Sequence, residues 1–318
     1  MSFELTWALV DSRIIWYVLL ACIIYAISML INTIIFQLLL HFVGAKISYT
    51  KAAVIVTIGS FINSIAPMKT GNIIGKPLVG RALARVPMIK AISVNSFQHF
   101  LDWIWQLALF PVLLVLIGEK IFFYNNVVKW TIVLVLAICI GLIAYRYKWF
   151  LPGLLRVRKV IPESLRDRAE QIGLSRSNLE ELIHAIPRYF SRKRLVAAVV
   201  VGLLIDGILL PFILWAALMY FGVSLSYFII FSLYWVSFTI GRLSLLPAGI
   251  GVKDVTLAAL LVGVGVSGTT AVETTIIFRV LSSIPPLLFG GGLLVLFRKE
   301  LWQEIIDMIR ALASKNRH

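Results

Sequence analysis

The chain of 318 residues is 60% apolar and 14% charged, with a mean hydropathy of +0.95, and its 30 basic against 15 acidic residues give a net charge of +15. Several apolar runs are long enough to cross a bilayer, which argues against a soluble enzyme and for an all-α, polytopic membrane helical bundle. The basic surplus lies mostly in loops between those runs, the positive-inside pattern, so anionic phospholipid headgroups are the expected partner and nucleic acid is not.

The first apolar run, residues 14–40, is too long for a signal-peptide core and reads as a retained span carrying Asn32 and Gln37, two residues suited to interhelical hydrogen bonds. Residues 52–66 are short for a full crossing and are either a tightly matched span or one arm of a re-entrant pair. A break, Pro67-Met68-Lys69-Thr70-Gly71-Asn72, follows. From 67 to 95 the charges are Lys69, Lys76, Arg81, Arg85 and Lys90 with no acid, which assigns this face to the cytoplasm. Pro77 suits the start of a helix placing Leu78, Val79, Ala82, Leu83 and Val86 on one arc, with Arg81 and Arg85 at its edge reaching for headgroup phosphates. Residues 97–117 and 127–145 read as the next two spans, joined by a loop containing Glu119, Lys120 and Lys129. The loop 146–194 holds twelve Lys/Arg against five Asp/Glu and reads as cytoplasmic; Ser177-Asn178-Leu179-Glu180 is a capping-box signature for a small amphipathic helix within it. Apolar segments 195–221, 227–246, 254–266 and 271–297 form a second set, and 300–313 reads as an interfacial helix. The whole is a single integral membrane domain with a first half (1–145), a basic loop (146–194), a second half (195–297) and a tail (298–318). It has about eight membrane segments and both termini cytoplasmic.

A second break, Leu246-Pro247-Ala248-Gly249-Ile250-Gly251-Val252-Lys253-Asp254, interrupts the second set, and the chain reads as organised around it. Backbone that leaves helical geometry at membrane depth needs partners from protein or cavity water, so such breaks line sheltered pathways. The two breaks resemble each other: Ser60-Phe61 precedes Pro67-x-x-x-Gly71, and Ser237-Phe238 precedes Pro247-x-x-x-Gly251. A distant internal repeat is the simplest source of the likeness, and corresponding breaks in two halves point to a binding site. Charges inside spans strengthen the pointer, because each is costly unless paired or hydrated. Asp206 lies about 16 Å along its helix, near mid-bilayer, and Arg279, Arg242 and Asp102 also fall within apolar segments. Cys22 and Cys139 sit in apolar runs and His41, His99, His184 and His318 are scattered, so neither a disulfide framework nor a metal or cofactor site is expected.

Taken together, Pro67-x-Lys69-x-Gly71-Asn72-x-x-x-Lys76, Gln98-His99-x-x-Asp102, Leu246-Pro247-x-Gly249-x-Gly251-Val252-x-Asp254 and Arg279 resemble the transmembrane region of lysylphosphatidylglycerol synthases over nearly the whole chain. Members of that family usually show Pro-x-Arg-x-Gly-Glu, Glu-Arg-x-x-Asp and Pro-Gly-Gly-x-Gly-x-x-Glu. Here Lys69, Asn72, Gln98-His99 and Asp254 depart from that pattern, so the resemblance is to a diverged, stand-alone member. It implies lipid handling: a flippase or transporter for a phospholipid or polyisoprenoid-linked lipid in the cell membrane. Lys69, Asn72, Lys76, Asp102, Asp206, Arg242, Lys253, Asp254 and Arg279 are the candidate substrate-binding residues. The alternative is a membrane partner or enzyme subunit in lipid or glycolipid modification. An enzyme in its own right is disfavoured, because no nucleophile with a base and no metal-ligand set can be found.

Overall fold

The computed structural model describes residues 12–65, 75–121, 189, 191–244, 246, 249–304 and 306, and among these the ordered secondary structure is helical throughout. Helix α1 spans Arg13–Phe42, α2 Tyr49–Ile65, α3 Lys76–Ala84 and α4 Met88–Ile121. Beyond the basic loop come α5 (Lys193–Leu209), α6 (Pro211–Tyr220), α7 (Tyr227–Leu243), α8 (Val252–Gly263) and α9 (Gly268–Pro286). A π-helical turn, Leu287–Gly291, leads into α10, Gly292–Leu296.

Three stretches, Arg13–Phe42, Lys193–Tyr220 and Gly268–Leu296, are long and apolar enough to cross a membrane, and Tyr49–Ile65 and Tyr227–Leu243 are shorter apolar helices. On α1 the exposed large residues Ile15, Leu19, Ile23, Ile27, Leu30, Ile34 and Leu38 recur every three or four positions. They form an apolar outer stripe of the kind that a membrane or a protein partner covers. The opposite face of α1 enters two cores. Its first half (Ile14, Ala21, Ile24) packs with α6 to α9, and its second half (Ile35, Phe36, Leu39, Leu40) packs with α2, α3, α4 and α5. One helix thereby ties the two halves of the sequence together.

Local chemistry explains most boundaries, and some differ from the sequence reading. Pro77 sits in the first turn of α3, and Arg85, in the left-handed region at φ 52°, closes that helix ahead of Pro87. Val79 and Gly80 of α3 are buried against α2 and α4, and Arg81 forms an ion pair of 2.6 Å with Glu304 of the C-terminal segment. Arg81 is thus held by a carboxylate of the chain, with about half of its side chain left exposed. Helix α4 begins nine residues before the expected start and continues through Ile121, so Glu119 and Lys120 are helical and not in a loop. Pro87 starts it and no glycine interrupts it before Gly118. Pro285 and Pro286 remove two backbone donors within the last long segment, and the chain answers with the π-helical turn that follows. The expected span 127–145, the helix after Ser177, Cys139, His184, His318 and the first break with Lys69 and Asn72 lie outside the described residues.

Candidate functional site

Each candidate side chain in the described residues is delivered by a helix end or by a polar position on an otherwise apolar helix. Lys76 is the first residue of α3, just beyond the first break, and Lys253 is the second residue of α8, just beyond the second. The second break turns through Gly249 at φ 66° and Gly251 at φ 81°, a region where side-chain-bearing residues are strained. Gly249 is also pressed against the backbone of Gly241, where an added Cβ would come within 3.1 Å. α8 consequently folds back along α7, and Lys253 is carried into the bundle.

The residues fall into two ion-paired groups and one hydrogen-bonded chain. Arg279 Nη2 lies 3.2 Å from Asp254 Oδ2, and that same oxygen accepts the Gly251 backbone N–H at 3.1 Å. Asp254 therefore caps α8 and neutralises Arg279 at once. Arg242 Nη1 lies 2.9 Å from Asp102 Oδ2, donates to Gln106 Oε1 and stacks over the rings of Trp103 and Phe238 at 4.8 and 5.4 Å. Asp102 Oδ1 accepts from Trp105 Nε1 at 3.1 Å and Gln106 Nε2 at 2.7 Å. A guanidinium 6% exposed, ion-paired and stacked on two rings is a buried pair and not a side chain reaching for the membrane surface. In the hydrogen-bonded chain Gln98 Nε2 donates to Asn32 Oδ1 at 2.8 Å and Asn32 Nδ2 donates to Asp206 Oδ2 at 3.2 Å, joining α4, α1 and α5.

These groups surround two cavities that share Asn32, Asn63, Lys76, Asp206, Leu210 and Phe238. The smaller, of about 140 Å³, is walled by Asp102, Arg242, His99, Gln98 and Gln106. The larger, of about 510 Å³, takes in Ser28, Ser60, Phe61, Ser64, Ile65, Lys76, Asp206, Ile250, Lys253 and Arg279. Ile65 precedes residues 66–74, Lys76 follows them, and Ile250 and Lys253 belong to the second break, so described residues flanking both breaks line one space. Beside it an apolar groove of about 400 Å³ runs between α1, α2 and the π-helical turn; Tyr25 and Met29 line both. Lys253 is 9% exposed, with Nζ over the rings of Phe278, Phe238 and Tyr234 at 4.6, 5.4 and 5.7 Å, and Lys76 is 5% exposed, with Nζ 5.9 Å from the Phe36 ring centre.

Of the residues singled out in the sequence, Lys76, Asp206, Lys253 and Arg279 line the larger cavity, Asp102 and Arg242 the smaller, and Asp254 stands behind Arg279. Sequence reasoning passed over Gln98 and Gln106 as site residues, the aromatic box around Lys253, and the groove made by the π-helical turn. The spacing Ser28 to Asn32 and Asp102 to Gln106, four residues each, was the available signal, since it stacks polar side chains on one helical face. Among the described residues there is no cluster of three or more His, Cys, Asp or Glu able to hold a metal.

Long apolar helices around a charged interior with cavities define a polytopic α-helical membrane protein with an intramembrane polar site. The chain belongs to the family of the lysylphosphatidylglycerol synthase transmembrane region, whose model matches residues 1–290. It is similar to a UPF0104 membrane protein of Pyrococcus horikoshii, 26% identical over 307 residues covering 90% of this chain and 88% of the relative. A UPF0104 membrane protein of Methanothermobacter thermautotrophicus is 22% identical over 263 residues, covering 80% of this chain and 76% of the relative.

Proposed function

We propose that this protein receives the headgroup of an anionic phospholipid in the larger cavity and passes it between leaflets while the acyl chains stay in the apolar groove and the surrounding bilayer. The observation that carries the reading is the adjacency of two unlike spaces: a cavity with three cations in its wall adjoins, at Tyr25 and Met29, a groove lined by Leu30, Leu288, Phe289, Leu293 and Leu296. An amphipathic ligand matches that division, whereas a small hydrophilic solute leaves the groove unused. Arg279 supplies a planar, permanently charged donor for a phosphate, with Asp254 as its counter-charge when the cavity is empty. The membership of the chain in the lysylphosphatidylglycerol synthase transmembrane family supports a lipid substrate.

The test is leaflet exchange in reconstituted vesicles, read as the fraction of fluorescent phosphatidylglycerol that becomes accessible to an impermeant quencher. The full chain should accelerate exchange, and Arg279→Gln should abolish the acceleration while leaving the melting behaviour of the purified protein near that of the wild type. A wild-type protein that moves no lipid in these vesicles would remove the proposal and favour a partner role in lipid modification.

A further inference from the structure

We propose that Lys76 and Lys253, each in the first turn of a helix that follows a break, together hold the phosphate of a lipid with a single net negative charge. The proposal rests on the lipid-handling reading and specifies its substrate class.

The pairing of the two lysines stands on packing and not on sequence register. In each unit an apolar helix (α2, α7) is followed by a break and then by a helix whose first turn contains the lysine (α3, α8). In each, a glycine of the first helix lies directly beneath that lysine: a Cβ at Gly59 would come within 2.2 Å of Lys76 Cγ, and one at Gly241 within 2.7 Å of Lys253 Cβ. Both lysines are more than nine-tenths buried, and both line the same cavity. The Ser-Phe pairs preceding the two breaks place Phe61 and Phe238 in that cavity wall too.

A lysine in the first turn of a helix is electrostatically misplaced, because the free N–H groups there already present positive charge. Two such lysines face one space, and among the described residues neither has a carboxylate within ion-pair distance. Helix α3 has no acidic residue in its first turn, and the Asp254 carboxylate at the start of α8 is taken by Arg279 and the Gly251 N–H. Among the described residues the remaining acid in the wall is Asp206, which offsets one lysine. Among those residues a surplus of one positive charge is left, at two helix N-termini that open on one cavity, and a monoanionic phosphodiester supplies the missing charge and the acceptor oxygens for both.

The experiment counts lipids bound to the full chain in detergent by native mass spectrometry, with phosphatidylglycerol and phosphatidylcholine as competing probes and sodium phosphate as a third. The wild type should prefer phosphatidylglycerol, and Lys76→Gln and Lys253→Gln should each weaken that preference about tenfold and to similar degrees, since each removes a charge-assisted partner of one phosphate. An unchanged preference in both variants, or a loss confined to one, overturns the paired site while leaving the lipid reading intact. Failure of the wild type to bind either lipid overturns both. Saturation by sodium phosphate in that case means that the lysines hold a free anion and not a lipid phosphate.

Discussion

Replacing Arg242 by Gln removes the cation from a site where the carboxylate it serves remains. Arg242 is 6% exposed and Asp102 21%, and Asp102 retains hydrogen bonds from Trp105 and Gln106 after the substitution. Breaking a buried pair by removing one partner costs about 3–5 kcal/mol, and the two surviving donors and residual hydration of Asp102 put Arg242→Gln at the lower end, about 3 kcal/mol. Loss of the stacking on Trp103 and Phe238 adds about 0.5–1 kcal/mol. Removing both charges, in Arg242→Gln with Asp102→Asn, eliminates the stranded carboxylate and should recover all but about 1 kcal/mol, because a buried pair is seldom worth more than a neutral replacement. The assay is a double-mutant cycle on the purified protein, unfolded by titrating a denaturing detergent into mild micelles, with tryptophan fluorescence as the probe. An Arg242→Gln protein within about 0.5 kcal/mol of the wild type would refute the pair as a structural element, as would a double variant whose loss equals the sum of the two singles.

Asp254→Asn should leave stability nearly unchanged, since Asn caps a helix almost as well as Asp, yet slow lipid exchange by leaving Arg279 without its counter-charge; unchanged stability together with unchanged exchange would mean that the cap is its whole role. Asn32→Leu strands the Gln98 amide and one Asp206 oxygen in the bundle and should destabilise by about 1–3 kcal/mol in the same unfolding assay, with a neutral result counting against the α4–α1–α5 chain. Gly241→Ala drives a methyl into Lys253 and should cost about 1–3 kcal/mol, read as a lowered unfolding midpoint. Cysteines introduced in 146–194 and in the tail should react with an impermeant thiol reagent only after the cell membrane is opened, because the basic residues flanking spans concentrate there; labelling of intact cells would reverse the proposed orientation.

What the sequence makes legible is the chemistry that is costly in a membrane. Asp206, Arg242, Asp102 and Arg279 stand out because a charge in an apolar run demands a partner, and the structure supplies one for each: Asn32, Asp102, Arg242 and Asp254. The residues that set helix boundaries are equally plain, since Pro77 suits a first helical turn and the glycines at 249 and 251 reach a positive φ that other residues resist. Helix lengths are less so: α4 runs through Glu119 and Lys120, where two adjacent charges after an apolar run read as a loop. The aromatic box around Lys253 brings Tyr234, Phe238 and Phe278 together from two helices, a three-dimensional fact with no local pattern, since aromatic residues at helical spacing read equally well as core. The groove beside the cavity depends on the π-helical turn, which the Pro285-Pro286 pair announces as a disruption without saying which way the chain will adjust.

The most direct measurement is an experimental density map of the full chain in nanodiscs of phosphatidylglycerol. The account predicts phosphate density in the cavity within reach of Lys76, Lys253 and Arg279, and tail density leaving past Tyr25 and Met29 into the groove beside Leu288 and Leu293. Lipid density confined to the outer apolar stripe of α1, with that cavity holding only water, would contradict it.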